Sequence, residues 1–138
     1  MRVSIYVENK SLPSCSAITP DLECVPHTKV ETLPSAVFDE IELIDVLEYD
    51  DRDNILSIVL SKLRHNGMLK IQGTDAMQVV KVLNHGGMDL ESASAGMLNG
   101  RMRLTSVHKL RESLERFGME TIFTTVSGIR YLIEAKRP

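Results

Sequence analysis

Apolar and polar residues follow two different periods along this chain, and the switches between them outline its elements. Arg2–Val7 (RVSIYV) is β-branched and aromatic and predicts a first strand. From Asn9 to Pro34 regular patterning stops. Pro13, Pro20, Pro26 and Pro34 punctuate it, leaving room for a short strand around Cys15–Thr19 but for no amphipathic helix of ordinary length. Phe38–Leu47 predicts a second clear strand, with Phe38, Ile41, Leu43 and Ile44 set among acids. It runs into Glu48, Asp50, Asp51 and Asp53, and a helical period takes over. Ile55, Ile58, Val59 and Leu63 fall on one face, acids crowd the first turn, and Lys62 and Arg64 occupy the last, as the helix dipole favours. Asn66-Gly67 is the predicted stop. Met68–Gln72 (MLKIQ) follows as a strand, then a helix capped by Asp75 and running to about Asn84. The stretch 85–103 reads as a long Gly- and Ser-containing loop with space for one helical turn, the kind that is functional or mobile in compact domains. Thr105–Gly118 predicts a third helix with Val107, Leu110, Leu114 and Phe117 on one face. Met119–Val126 and Ile129–Lys136 complete the chain as two strands joined at Ser127-Gly128.

Strands that alternate with helices imply an α/β sheet, mostly parallel, with right-handed crossovers. The terminal hairpin would add an antiparallel edge. At 138 residues the chain fits a single domain, 1–138. No run of 18 apolar residues exists to span a membrane, and Met1–Lys10 does not read as a signal peptide. Two cysteines, Cys15 and Cys24, are too few for a disulfide framework, so free thiols and a cytoplasmic protein are expected.

Net charge is −3, which gives no footprint for nucleic acid. Its distribution is uneven: residues 1–60 hold 12 acidic against 4 basic residues, whereas 100–138 hold 8 basic against 4 acidic. The tail cations Arg101, Arg103, Lys109, Arg111 and Arg116 lack the interleaved aromatics of a single-strand binding surface. Cys24 and His27 have ligand-like spacing without a second pair, so no metal is expected. His65, His85 and His108 have no evident nucleophile or orienting acid, and no catalytic residue is assigned.

Several stretches carry a resemblance. "LPSAVFDEIELIDVLEY" resembles the fourth-strand region of class I S-adenosylmethionine-dependent methyltransferases, where a Leu-Pro precedes an acid/aliphatic strand ending Val-Leu-Glu-His; Tyr49 stands in place of that His. "LSKLRHNGMLKIQGTD" resembles the family's Leu-Lys-Pro-Gly-Gly turn, next strand and following Asp, with His65 and Asn66 replacing Pro and the first Gly. "LTSVHKLRESLERFGME" and "YLIEAKRP" resemble its last helix and closing strand. The subgroup most similar is the small methyltransferase-like proteins linked to sugar and polysaccharide pathways, in which the first helix is cut short.

The resemblance implies a Rossmann-like methyltransferase fold with a reduced N-terminal half and an antiparallel C-terminal strand. It also implies a cofactor pocket for S-adenosylmethionine, placed at Glu8, Asp45, Leu47, Glu48 and Tyr49. The family's glycine loop after the first strand is missing. "IYVENK" stands there, and no glycine occurs before Gly67. The acid expected after the second strand has Asp21 as its only candidate. The expected function is a degenerate methyltransferase-like protein with a binding or assembly role. The alternative is an active methyltransferase on a sugar or other small molecule, with altered cofactor binding or a partner subunit. Loss of the first helix should also uncover one face of the sheet near Arg2–Val7, so a homodimer is expected, with the acidic first half meeting the basic helix of a neighbour.

Overall fold

The computed structural model describes residues 1–7, 22–49, 51–97 and 104–138. Among the described residues six strands form one sheet: β1 (Arg2–Tyr6), β2 (Leu22–Pro26), β3 (Phe38–Ile44), β4 (Leu63–Thr74), β5 (Glu120–Ser127) and β6 (Arg130–Lys136). Their order is β2-β1-β3-β4-β6-β5, parallel from β2 to β4 and antiparallel through β6 and β5. A 3-10 helix, His27–Thr32, links β2 to β3. The α-helices of the described residues are α1 (Val46–Tyr49), α2 (Arg52–Lys62), α3 (Ala76–Asn84), α4 (Leu90–Met97) and α5 (Val107–Arg116). The predicted mixed α/β sheet with an antiparallel end is therefore present.

The register determines which side chains share a face. Val3, Ile41, Leu69 and Ala135 stand in one cross-strand row, and Ile5, Leu43, Ile71 and Ile133 in the next core row. All eight are buried, and they belong to one hydrophobic cluster with Val46 and Leu47 of α1, Ile55, Leu56 and Val59 of α2, and Leu110 and Leu114 of α5. Residues one position along point the other way. On β3, β4 and β6 Glu40, Glu42, Lys70, Gln72, Leu132 and Glu134 are only half-buried, whereas Ile44 and Thr74, at the carboxyl ends of β3 and β4, are buried. Charges there are paired across strands: Lys70 with Glu40 at 2.7 Å and with Glu134 at 3.9 Å, Arg2 with Glu40 at 3.7 Å, and the Gln72 amide donating to Glu42 at 2.7 Å. The Glu40 carboxylate bonded to Lys70 holds its ammonium above the ordinary lysine value. A doubly wound sheet carries helices on both faces and near-continuous apolar strands. Among the described residues β3, β4 and β6 alternate over most of their length, and the hydrophobic cluster lies on one side of them. At the β1 end of the polar face the situation differs: Ser4 is fully buried, and its hydroxyl has no partner among the described residues.

Several boundaries depart from the pattern. The second clear strand stops at Ile44, because Asp45 takes a positive φ of 61° and turns the chain into α1. Helix α2 starts where expected, with the Asp51 carboxylate accepting from the Asp53 and Asn54 amides at 3.1 and 3.3 Å. It ends at Lys62, four residues before Asn66, because the Arg137 guanidinium donates to the carbonyls of Leu60 and Leu63 at its C-terminus. Asn66 keeps its left-handed backbone (φ 64°), but within β4, where pairing jumps from Phe38–Leu63 to Glu40–Met68. The loop 85–103 contains a full helix, α4, against which α3 packs. Strand β2 falls in a stretch that the sequence pattern left irregular, whereas the short strand expected at Cys15–Thr19 lies outside the described residues. Cys24 is disulfide-bonded, which corrects the expectation of free thiols. Side-chain proximity decides that bond, and a count of two cysteines does not reveal it. The other cysteine, Cys15, lies outside the described residues. Among the described residues no helix is long and apolar enough to cross a membrane.

The one-sided core makes neighbouring positions on β4 unequal. Ile71→Ala should destabilise by roughly 2–5 kcal/mol, as large-to-small core changes do. Lys70→Ala should cost under about 1 kcal/mol, since its ion pairs are half-exposed. Urea unfolding of the two variants beside the parent chain measures the difference.

Candidate functional site

The carboxyl ends of the parallel strands are where open α/β sheets place ligands. At the end of β3, Asp45 stays tied to β4 through its amide, which donates to the Gln72 carbonyl at 3.0 Å. Its left-handed backbone starts α1, a single turn that carries Leu47, Glu48 and Tyr49. Leu47 is buried in the core cluster, and Tyr49 packs half-buried against it. Glu48 turns inward. It is 1% exposed, and its Oε1 accepts the backbone N–H of Thr74 at 2.6 Å, binding α1 to the end of β4. A carboxylate buried this deeply needs hydrogen-bond donors to offset its lost hydration, and the strand-end amide is one.

Gly73 makes this approach possible. A Cβ there would sit 2.7 Å from the Tyr131 hydroxyl and 2.9 Å from Glu48 Oε1, too close for any side chain. An isolated glycine at a strand end is a sequence signal of such a close approach. The Asp45 carboxylate accepts from the Arg130 guanidinium at 2.5 Å, and Arg130 also reaches the Thr74 hydroxyl at 3.3 Å. Asp75, also buried, ties together three elements. Its carboxylate accepts from Met77 and Gln78 at the start of α3 and from Val107 at the start of α5, while its own amide donates to the Ile129 carbonyl in the hairpin turn. Burial, and then the negative charge of Glu48 and Asp45, push the Tyr131 phenol far above its ordinary value, so it stays neutral through physiological pH. Its hydroxyl has no hydrogen-bond partner among the described residues.

The structure thus brings Asp45, Leu47, Glu48 and Tyr49 together at one sheet end, while Glu8 lies outside the described residues. Thr74, Asp75, Arg130 and Tyr131 belong to the same junction. Three of them have no periodicity that separates them from ordinary strand residues; Asp75 is legible only as a helix cap. Asp51 and Asp53 sit at the start of α2, the former as its cap. Among the described residues no group of three His, Cys, Asp or Glu converges to hold a metal. Cys24, as a disulfide sulfur, has no thiolate to offer beside His27. Lys109 pairs with Glu112 at 3.5 Å and Arg116 with Asp53 at 3.9 Å, so these two helix cations have acidic partners. A shallow cavity of about 190 Å³, lined by Gln72, Thr125, Ser127, Arg130, Tyr131 and Leu132, opens beside the junction.

No protein-family model and no curated protein sequence matches the chain. Solved structures do. An S-adenosylmethionine-dependent methyltransferase from Mesorhizobium loti superposes with a TM-score of 0.65 at 13% identity, covering 98% of this chain and 80% of that one. The fold is the Rossmann-like methyltransferase fold. Magnesium protoporphyrin IX methyltransferase from Synechocystis, solved with bound S-adenosylhomocysteine, aligns at 16% identity and a TM-score of 0.59, over 88% of this chain and 54% of that one. A methyltransferase from Thermotoga maritima gives 14% identity and a TM-score of 0.59, over 85% and 64%. The chain spans less than two thirds of the last two.

The ends of β1 and β2 depart from the sequence pattern that the resemblance implies for an S-adenosylmethionine pocket. The carboxyl end of β1 carries Tyr6 and buried Val7 where a glycine turn would let the cofactor approach. Strand β2 ends in Pro26 followed by His27, with no acid, and Asp21 precedes that strand instead of following it. Glu48 faces Thr74.

Two substitutions probe the junction. Gly73→Ala should destabilise by about 1–3 kcal/mol through overpacking. Tyr131→Phe should be neutral or stabilising, because it deletes a buried hydroxyl that has no partner. The phenol's folded pKa is raised, so it contributes nothing adverse below the unfolded value near 10, and stability falls as pH rises above that value. Thermal melts from pH 7 to 11 should show a shallower alkaline loss for Tyr131→Phe than for the parent.

Proposed function

We propose that this chain is a methyltransferase-like protein that does not catalyse methyl transfer and serves in binding or assembly. The observation that carries this reading is the Glu48–Thr74 bond: the acid that would line a cofactor pocket holds the fold together in the interior. Asp45 and Asp75 are likewise committed to Arg130 and to two helix starts. General acid–base work needs a group that reaches substrate with a suitable pKa, and no carboxylate of this cluster is turned outward.

A second reading is favoured by the cavity beside Gln72 and Arg130. An active methyltransferase acting on a sugar or other small molecule could seat its substrate there and draw the missing cofactor wall from a partner subunit. Many methyl transfers need little beyond positioning, so the absence of a base does not decide between the two.

Titration calorimetry with S-adenosylmethionine and with S-adenosylhomocysteine distinguishes the readings. The expected outcome is no saturable heat with either compound. Micromolar binding that disappears in a folded Glu48→Gln variant would overturn the non-catalytic reading.

A further inference from the structure

Strand β5 closes the sheet at one end, so one of its edges has no strand neighbour among the described residues. Folded proteins blunt such edges with short strands, proline, lysine or a bulge. The opposite edge, β2, is five residues long, carries exposed Glu23 and ends in Pro26. Strand β5 is eight residues long, contains no Lys, Arg or Pro, and has one acid, Glu120, at its first position; its irregularity, between Thr121 and Phe123, leaves Phe123–Ser127 regular. It buries no residue fully. Ile122, Phe123 and Val126 are 52%, 49% and 40% exposed, and Phe117 just before it is 38% exposed. Apolar side chains displayed along an open edge are what strand addition covers.

We infer that β5 is a self-association edge that pairs antiparallel with β5 of a second copy of this chain. Charge and register point to a second copy in particular. The ladder to β6 is irregular between Thr121 and Phe123, so the regular stretch is Phe123–Ser127, centred on Thr125. A twofold axis at Thr125 sets Phe123 opposite the partner's Ser127, Thr124 opposite the partner's Val126, and Thr125 opposite the partner's Thr125. Such cross-strand pairs of β-branched and aromatic residues are favourable, and no charge meets a like charge within them. Phe123, Thr125 and Ser127 lie on the open face, in register with Glu134, Leu132 and Arg130. Pairing therefore extends the open polar face across both copies and brings two of the 190 Å³ cavities to the same side of the joined sheet. This edge is distinct from the β1 region, where Val3 and Ile5 are already buried, and from the basic face of α5.

Sedimentation velocity on the full chain across a wide concentration range tests the assignment. The expected result is a concentration-dependent dimer. Thr125 is exposed and outside the core, so both Thr125→Lys and Thr125→Glu should keep the parent circular dichroism and melting temperature. Each alone should weaken association at least tenfold, because like charges would face each other at the axis. An equimolar mixture of the two should restore dimerisation as a mixed species. Arg111→Glu with Arg116→Glu should leave it unchanged. A parent chain that stays monomeric at every concentration overturns the proposal. So does a Thr125→Lys variant that dimerises like the parent, or a mixture that does no better than its components.

Discussion

The two-residue side-chain period of β3, β4 and β6, set against the helical layer of α1, α2 and α5, is the constraint on which this structure rests. One register row supplies Ile5, Leu43, Ile71 and Ile133; the next supplies Glu42, Lys70 and Glu134. A slip of one residue would exchange these sets and expose the whole core. The ion-pair ladder Arg2–Glu40–Lys70–Glu134 adds little stability at this exposure. Its consequence is that the polar rows of β3, β4 and β6 stay half-exposed and register-specific.

That one-sidedness also explains the inward turn of the carboxyl edge. With α1, α2 and α5 on the same side, the ends of β3 and β4 must join the helices over a short distance. The Glu48–Thr74 bond, the Gly73 gap beneath Tyr131 and the Asp75 caps make those joins. Open α/β sheets ordinarily leave this edge free to hold a ligand. In this chain the same positions serve cohesion, which links the architecture to the non-catalytic reading.

Much of this was legible in the sequence. The β-type patterning of FDEIELI, MLKIQ and YLIEAK specifies strand identity, and Asp75 and the acids at Asp51 and Asp53 mark helix starts by their chemistry. What could not be read depends on contacts distant along the chain. The C-terminus of α2 is set by Arg137, 75 residues beyond Lys62, and no local signal reports that bond. Asp45 departs from the strand through a left-handed backbone that Asn and Asp tolerate without demanding it. Glu48 reads as a pocket acid from its place after a strand; its burial depends on Gly73 and Tyr131, which come from β4 and β6.

Solvent paramagnetic relaxation on the labelled chain, with an inert gadolinium chelate, measures the central asymmetry directly. Side-chain signals of Lys70, Leu132 and Phe123 should be strongly attenuated, while those of Ile71, Ile133 and Leu43 should be preserved. Equal protection of Lys70, Leu132 and Ile133 would mean that a second layer covers the sheet and would contradict the account.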